Sequence, residues 1–267
     1  MEDVTVLINS CDKYSDLWDP FFTLLKKYWN PKYPIVLNTD SKKYSFEGLN
    51  ITTFQLFKNE RVEWSKMLRE TLSHIKTEYV ITLLDDFFLE KPVNKEKIEE
   101  CIKWMNQNQN IAAFYFVPIK DEEQDNKYPG FKRIKDDGEY RLNCQAALWR
   151  KDILEMNLRD HESAWLFETL GSKRNGRWHK EQIFYCAQED NSIFEYNNQE
   201  GGALHRGKWN KHAVDVCELN GIEIDTTKRG INTMVMGSKK SILNYYVHRL
   251  SPSNIYKAIN NRRKSYR

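Results

Sequence analysis

The chain has 267 residues, 40% of them hydrophobic and 30% charged, which is the composition of an ordinary soluble globular protein. Its five cysteines are an odd number without a CxxC pair, which argues against a disulfide framework or a cysteine zinc site and favours reduced thiols in a cytosol. No stretch approaches the roughly 20 apolar residues of a membrane helix. The N-terminus leads almost directly into an apolar strand, so we expect no secretory signal.

The net charge of +3 hides a strong asymmetry along the chain. Residues 226–267 contain ten Lys or Arg and no Asp or Glu, which leaves 31 basic and 38 acidic residues before them. Apolar residues recur in this tail at near-helical spacing, namely Ile242, Leu243, Tyr246, Val247 and Leu250. Such a segment can lie on an anionic leaflet or can pack on the body as a C-terminal helix. Nucleic acid is a weaker third possibility, because the basic residues are confined to the tail.

The first half of the chain alternates between strand and helix patterns. In chain order the patterns predict a strand at 4–9, a helix at 16–28, strands at 34–40 and 49–56, a helix at 64–75, a strand at 78–84, a helix at 95–105 and a strand at 111–117. The strand at 78–84 is continuously apolar, as in a central strand covered on both faces. This alternation predicts an α/β sandwich around a mostly parallel sheet, with a polar loop or hairpin at 120–140.

Polar side chains follow the ends of three predicted strands. Ser10 and Asp12 come after the first strand, Asp40 after the second, and Asp85 and Asp86 after the apolar run YVITLL. Ligands of open α/β sheets gather at the carboxyl ends of the strands. These groups therefore predict one binding site at that edge of the sheet.

The adjacent acids Asp85 and Asp86 are the sharpest feature of this site. Two neighbouring carboxylates repel each other, and burial raises their pKa unless a cation or hydrogen bonds compensate. Mg²⁺ or Mn²⁺ accepts one or two carboxylates and takes phosphate oxygens and water as its other ligands. The pair thus predicts a metal that bridges to a diphosphate. The alternative is that Asp85 caps the strand while Asp86 faces water.

An ordered set of motifs over roughly residues 4–210 resembles the GT-A glycosyltransferases, in particular the small bacterial transferases of capsule and surface-polysaccharide synthesis. The motifs are WSKMLRETL followed by EYVITLLDDFFL, then CQAALWRKDIL, SAWLFE and GGALHRGKW. The resemblance implies a GT-A (Rossmann-like) α/β/α sandwich with a mostly parallel central sheet and a basic C-terminal helical tail. It implies a catalytic domain at 1–225, with a donor half at about 1–118 and an acceptor half at about 119–225, and a basic extension at 226–267.

The resemblance also implies the metal ligands. The family motif is Asp-x-Asp, and Leu84 stands where its first acid would be. The resemblance therefore assigns the role of ligand to Mn²⁺ or Mg²⁺ to Asp86. Asp85 would bind the ribose or a metal-bound water. His205 in the segment GGALHRGKW would complete the metal site, although a structural role for this histidine is an equal alternative.

Other residues of the predicted site would bind the donor. By the same resemblance Ser10, Asp12 and Asp40 hold the nucleoside. A carboxylate at Asp40 can accept the uracil imide N–H, which favours uridine over guanosine, while a turn role is the alternative. Arg206 or Lys208 would neutralise the departing diphosphate, and the glycines around them suggest a loop that closes over the donor.

The predicted chemistry needs a base on the acceptor side. Glu168 is the candidate, because Trp165 and Phe167 could form an apolar wall that raises its pKa. Glu181 is the alternative base, and an exposed Glu168 on an amphipathic helix is the structural alternative. Trp165 could stack on a sugar ring, and the resemblance places Gln145 among the acceptor-binding residues.

These observations predict a cytoplasmic enzyme that could associate with the inner face of the plasma membrane through its tail. It would transfer a sugar, with inversion, from a nucleoside diphosphate donor, preferably UDP-linked, to a glycan or lipid-linked acceptor, and would not bind nucleic acid. A retaining GT-A enzyme is one alternative. A metal-dependent nucleotidyltransferase is another, but no Gly-rich phosphate loop lies near the N-terminus. A non-catalytic carbohydrate-binding protein is a third, its eight tryptophans serving as sugar platforms.

Overall fold

The computed structural model describes residues 3–58, 60–123, 125, 127–197, 201–232, 260, 263 and 264. Within these residues the core is a nine-stranded sheet. Its strands, in chain order, are β1 (Val4–Asn9), β2 (Ile35–Asn38), β3 (Ile51–Phe54), β4 (Tyr79–Leu83), β5 (Ile111–Tyr115), β6 (Glu122–Glu123), β7 (Phe131–Ile134), β8 (Ala147–Arg150) and β9 (Ile183–Ala187).

The strand order across the sheet is β3-β2-β1-β4-β8-β5-β9-β7-β6. The first four strands are mutually parallel, and β8 inserts antiparallel between β4 and β5. β9 runs parallel to β5, and β7 runs antiparallel to both of its neighbours, β9 and β6. Only β7 and β8 therefore oppose the direction of the other strands in the described sheet. The predicted mostly parallel sheet is confirmed, with the refinement that β4 has one parallel and one antiparallel neighbour.

Seven α-helices are described. They are α1 (Trp18–Tyr28), α2 (Trp64–His74), α3 (Lys95–Gln107), α4 (Lys151–Asn157), α5 (Ala164–Leu166), α6 (Ser172–Trp178) and α7 (Lys211–Leu219). A 3₁₀ helix at Asp12–Leu17 leads into α1, and a π-helical segment at Phe167–Gly171 joins α5 to α6.

Helices cover both faces of the sheet because alternate residues of each strand point to opposite sides. Trp18 of α1 contacts Ser10, which follows β1 on the face that Ile8 also occupies. Trp64 of α2 lies instead beside Leu7 and Asn9, on the other face. The predicted α/β/α sandwich is confirmed. Of the loop or hairpin predicted at 120–140, the structure has a hairpin, β6 paired with β7.

A second, small sheet lies beyond the main one. It consists of β10 (Leu204–His205) and β11 (Lys208–Trp209), which form a hairpin with a two-residue turn. Arg206 and Gly207 both have positive φ, 52° and 80°, as the favoured two-residue hairpin turn requires. Downstream, Asn232 donates a backbone hydrogen bond to Trp209, so the first residues of the basic extension pack on this hairpin.

The remainder of the basic tail, including the apolar residues 242–250, lies outside the described residues. The predicted domain division therefore stays a prediction. In the described part of the chain, no helix combines the length and apolarity needed to cross a bilayer. All five cysteines are free thiols.

Candidate active site at the carboxyl edge of the sheet

Strand register brings the predicted site residues to one edge of the sheet. Ile8 of β1 pairs with Leu83 of β4, so Ser10 and Asp85 follow neighbouring strand ends. Because β8 runs antiparallel to β4, with Thr82 opposite its first residue, Gln145 precedes β8 at this same edge. The fold thus brings together two predicted segments, the donor side at Asp85 and the acceptor side at Gln145, which about sixty residues separate in the sequence.

Asp85 is held by two donors. The hydroxyl of Ser10 and the indole Nε1 of Trp18 both donate to Asp85 Oδ2, the latter at 3.2 Å, and Trp18 Nε1 also lies 2.8 Å from Ser10 Oγ. Asp85 is only 3% exposed. Burial, with a smaller contribution from the charge of Asp86, raises the pKa of Asp85 to about 7 against the opposing effect of these donors. Asp85 is therefore enclosed and fixed, which suits a supporting role better than the predicted direct contact with a ribose.

Asp86 has a different environment. Among the described residues no side-chain donor or cation contacts its carboxylate, and burial raises its pKa to about 6. Its backbone carbonyl accepts a hydrogen bond from Ala203 N at 2.5 Å. Gly202 packs directly on it: a Cβ at this position would lie 2.8 Å from the Asp86 carbonyl oxygen and 2.9 Å from Oδ2. The segment GGALHRGKW is therefore built against the acid pair, as the site prediction requires.

The hairpin presents its charged side chains to solvent. Arg206 and Lys208 are exposed, and His205 is half-buried. Among the described residues, no group of three or more His, Cys, Asp or Glu side chains is arranged as a metal site. His205 lies two residues after Ala203, whose backbone N–H contacts Asp86, so His205 is in the vicinity of the acids. Its role as a ligand stays a prediction.

Asp12 and Asp40 tie the loops after β1 and β2 to each other. Asp40 Oδ2 accepts from Asp12 N at 2.8 Å, and the Asp12 carboxylate accepts from Ser41 N at 3.1 Å and from Lys42 N at 3.1 Å. Burial works to raise the pKa of Asp12, but these donors, with the Ser41 hydroxyl, lower it overall. Both carboxylates thus shape the loop. A uracil imide N–H bound by Asp40 would share the carboxylate of Asp40 with the backbone N–H of Asp12.

Glu168 reaches the same edge from the π-helical segment. Its Oε1 accepts a hydrogen bond from Cys144 N at 2.9 Å, immediately before Gln145. Ser172 Oγ donates to the Glu168 carbonyl and accepts from Leu142 N at 2.9 Å, so the segment is tied to the loop that precedes β8. Burial raises the pKa of Glu168, in the direction expected of a general base, against the lowering effect of the Cys144 N–H.

The two aromatic residues that flank Glu168 differ in burial. Phe167 is 1% exposed and packs against Trp64 at 5.5 Å between ring centroids, whereas Trp165 is 51% exposed. Trp165 is thus available as a sugar platform, and Phe167 belongs to the core. Gln145 Oε1 accepts from Tyr196 OH at 2.9 Å, which fixes the orientation of its amide.

Glu181 is not brought to this site. It precedes β9, a strand that runs in the same direction as β4, and therefore lies toward the opposite edge of the sheet. Its carboxylate is 61% exposed and lies 3.3 Å from His179 Nδ1. The structure thus places Glu168 at the edge that carries the acid pair and Glu181 away from it, and the role of either residue as a base stays a prediction.

Several residues of this site were not singled out by the sequence. Trp18 looks like a core residue of an amphipathic helix, and Cys144 contributes a backbone N–H, for which no side-chain signal exists. Arg229 ties the described part of the extension to the loop after β1 through Asp16, with Nε 2.6 Å from Oδ2, and to the hairpin through Gly207 O at 3.4 Å. Only Gly202 carried a signal, as one of two adjacent glycines.

The residues at this edge fit a divalent cation. Asp86 presents a half-buried carboxylate of raised pKa that no described cation neutralises, and Asp85 lies next to it with its Oδ2 held by hydrogen bonds. Hard oxygen ligands of this kind are those that Mg²⁺ and Mn²⁺ take, together with phosphate oxygens. The donor set therefore suits a metal that is completed by a phosphate-bearing ligand.

No protein-family model matches the sequence, and no curated protein matches it. Among solved structures, the S. aureus TarS fragment 1-349 is similar at 12% identity over 73% of this chain and 60% of that chain, with a TM-score of 0.47. A longer S. aureus TarS structure is 13% identical over 95% of this chain and 45% of that chain, also at 0.47.

A third similar structure is the mannosyltransferase PcManGT from Pyrobaculum calidifontis in complex with GDP-Man and Mn²⁺. It is 15% identical over 58% of this chain and 46% of that chain, with a TM-score of 0.40. This chain spans less than two thirds of the length of each of the three. At these identities and scores the likenesses assign no activity to this chain.

Proposed function

We propose that this chain is a GT-A-type glycosyltransferase that transfers a sugar from a nucleoside diphosphate sugar, preferably UDP-linked, to a hydroxyl of a glycan or lipid-linked acceptor. The observation that carries the proposal is the convergence at one sheet edge of the Asp85–Asp86 pair and Glu168, which is held there by Cys144 N. An acid pair opposite a positioned base of raised pKa is what sugar transfer from a diphosphate requires.

Glu168 acts as the base in this proposal. It removes the proton of the acceptor hydroxyl, whose oxygen bonds to the anomeric carbon as the bond from that carbon to the diphosphate oxygen breaks. The nucleoside diphosphate leaves from the opposite face, so the anomeric configuration inverts. The hydrogen bond from Cys144 N orients the carboxylate, and burial keeps its pKa raised. A product of retained configuration would contradict this arrangement and support the retaining alternative.

On the donor side, Asp86, with His205 as a second candidate, would hold Mn²⁺ or Mg²⁺, which when bound neutralises the diphosphate. Ser10 and Trp18 keep Asp85 in place beside it. The exposed cations Arg206 and Lys208 stand on the hairpin that packs over Asp86, where a change in hairpin position would bring them to the departing diphosphate.

Four further residues complete the proposed binding assignments. Asp12 and Asp40 shape the nucleoside loop after β1 and β2. On the acceptor side Trp165 offers an exposed ring, and Gln145 offers an amide whose Oε1 is already held by Tyr196. The basic tail, whose charge comes from sequence alone, is proposed to hold the enzyme at an anionic membrane surface on the cytoplasmic side.

A thermal-shift screen of UDP, GDP, CDP and ADP, and of their sugar derivatives, with Mn²⁺ or with EDTA tests the proposal. We expect UDP and at least one UDP-sugar to raise the melting temperature, and to do so more strongly with Mn²⁺. If no nucleotide changes the melting temperature under either condition, the enzyme proposal fails. Stabilisation by free glycans without any nucleotide effect would favour a carbohydrate-binding protein instead.

A further inference from the structure

A hollow of about 140 Å³ lies beside the ends of β5 and β9. It is open to solvent and has room for roughly ten waters, or for a sugar ring with its hydroxyl groups. Residues 118–120, which follow β5, form one part of its lining, and residues 186–189, at the end of β9, form another. Glu122 of β6 and Lys132 of β7 complete the lining.

This hollow lies at the same edge of the sheet as the acid pair. Both β5 and β9 run in the direction of β4, so the carboxyl ends of the three strands share one edge. In the strand order β8 and β5 separate β9 from β4, and neighbouring strands lie about 4.8 Å apart, so the end of β9 is roughly 14 Å from the end of β4. A ligand that reacts near the acids reaches the hollow only if it is longer than one sugar.

The hollow also shares a face of the sheet with the loop that holds Glu168. Cys186 lines the hollow and is paired with Tyr115 of β5, so the two side chains point to the same face. The hydroxyl of Tyr115 accepts from Asn143 N at 2.9 Å, and the next residue, Cys144, donates its N–H to Glu168 at 2.9 Å. The loop before β8 therefore connects the face that carries the hollow with the proposed base.

A second stretch of chain, residues 188–196, runs from the hollow toward the acid pair along this edge. Phe194 N donates to a backbone carbonyl just after β5 at 3.3 Å. Two residues later, Tyr196 OH donates to Gln145 Oε1 at 2.9 Å before the start of β8. The ring of Tyr196 lies 4.7 Å, between centroids, from the ring of Phe87, which directly follows the acid pair. One continuous segment thus joins the hollow to the acids.

The lining of the hollow is polar and balanced in charge. It contains two lysines and two glutamates, namely Lys120, Lys132, Glu122 and Glu189. Lys132 Nζ lies 3.0 Å from Glu122 Oε1, so these two charges offset each other. The side-chain amide of Gln188 has no hydrogen bond to any residue that the structure describes, and it offers both a donor and an acceptor. Such a lining suits the hydroxyl groups of a neutral sugar better than a polyanion, for which the glutamates are repulsive.

We propose that this hollow binds a distal sugar of the acceptor, so that the acceptor is a neutral oligosaccharide, free or lipid-linked, and not a single sugar. Gln188, Glu189 and Lys120 form hydrogen bonds with the hydroxyl groups of the distal sugar while the accepting sugar lies at Glu168. The inference rests on the proposed function and adds the length and the charge of the acceptor.

A glycan array probed with the full-length protein, UDP and Mn²⁺ tests the inference. The array carries neutral disaccharides to tetrasaccharides, the corresponding monosaccharides, and oligosaccharides of uronic acids and sugar phosphates. We expect at least one neutral oligosaccharide to bind tenfold or more tightly than its terminal monosaccharide, because it occupies the hollow as well as the site at Glu168. Affinities that are independent of chain length, binding of the anionic oligosaccharides alone, or no binding of any glycan would each overturn the inference.

Gln188→Ala links the preference to the hollow. It should lower the affinity for the preferred oligosaccharide at least threefold, through the lost hydrogen bonds, and leave the affinity for the monosaccharide unchanged. The control is Gln109→Ala, the same exchange at an exposed residue that precedes β5 and so lies toward the opposite edge of the sheet. It should change neither affinity. An unaltered preference in Gln188→Ala, or equal losses in the two variants, contradicts the location.

Titration of UDP with Mn²⁺ distinguishes a failure of the inference from a failure of the proposed function. A wild-type protein that binds UDP but shows no preference for longer glycans loses only the distal site. A wild-type protein that binds no UDP contradicts the proposed function, and the role of the hollow in acceptor binding is then lost with it.

Discussion

The adjacent residues Asp85 and Asp86 have different chemical environments although they are of the same type. Asp85 is enclosed and accepts from Ser10 and Trp18, whereas Asp86 faces the glycine-rich segment with no described side-chain donor or cation. Both acids lie in the turn that follows β4, where Asp85 is directed at Ser10 and Trp18 while Asp86 is in contact with Gly202 and Ala203. The sequence predicted that the two acids have different roles. It did not predict that Trp18 binds Asp85, because one polar atom on an otherwise apolar helix face leaves no pattern in the sequence.

The first expected outcome concerns the pH dependence of stability. The pKa of Asp85 is about 7 in the folded protein and 3.8 in an unfolded chain, so its burial opposes folding increasingly as the pH rises from about 4 to about 7, and to a constant extent above that. Asp85→Asn removes this opposition, and its free energy of unfolding relative to wild type should be more favourable at pH 8 than at pH 5, by on the order of 2 kcal/mol.

Urea unfolding at pH 5, 6.5 and 8 measures this difference. Asp190→Asn, at an exposed position, is the control and should show no such trend. A difference between Asp85→Asn and wild type that is independent of pH, or that grows in acid, would show that Asp85 is already charged throughout this range.

Glu168 gives the second expected outcome. Glu168→Gln should keep the binding of UDP and lower the rate of UDP release from the active donor by about 100-fold or more, since a positioned base contributes roughly that factor. In the wild type the rate should fall as the pH is lowered, and this fall should begin at a pH above the pKa range of ordinary carboxyl groups, because burial raises the pKa of Glu168.

The matched control for Glu168→Gln is Glu181→Gln, the same exchange at an exposed residue toward the opposite edge of the sheet. It should leave the rate within twofold of wild type. Equal losses in the two variants, or full activity of Glu168→Gln, would remove Glu168 from the mechanism.

At the scale of elements, periodicity predicted most of what the structure contains. Helix α2 begins at the predicted residue and ends at His74, one residue before the predicted end, and β4 lies within the predicted 78–84. What periodicity could not predict is β8, because a four-residue strand that inserts antiparallel beside β4 is defined by long-range pairing. That insertion is what brings the loop before β8, and with it Glu168, to the acids.

The close packing of the glycine-rich segment on the acid pair gives the third expected outcome. Gly202 has φ 83° and no room for a Cβ beside Asp86, whereas Gly207 has φ 80° and open space. Both alanine variants should lose about 1–2 kcal/mol through the positive φ. Gly202→Ala alone should also weaken the binding of UDP in the presence of Mn²⁺, because Asp86 has to shift.

Calorimetric UDP titration of the two glycine variants separates these effects. Equal UDP affinities in Gly202→Ala and Gly207→Ala would mean that the contact with Asp86 is irrelevant to the donor. The comparison controls for backbone strain, since both glycines share nearly the same φ.

For the whole molecule, the charge asymmetry separates an acidic body from a basic tail. Deletion of residues 238–267 should reduce co-sedimentation with phosphatidylglycerol vesicles and leave the weak association with phosphatidylcholine vesicles as it was. The loss should be smaller at 0.5 M salt, where exposed charges are screened. Unchanged sedimentation with phosphatidylglycerol would show that the tail does not hold the protein at an anionic surface.

The central claim is that the acid pair anchors a nucleoside diphosphate through a metal. The most direct measurement is calorimetric titration of UDP into wild type and Asp86→Ala, each with Mn²⁺ and with EDTA. We expect wild type to bind UDP at least tenfold more tightly with Mn²⁺, and Asp86→Ala to lose that difference. Metal-enhanced binding that survives in Asp86→Ala, or wild-type binding that is indifferent to Mn²⁺, would contradict the account.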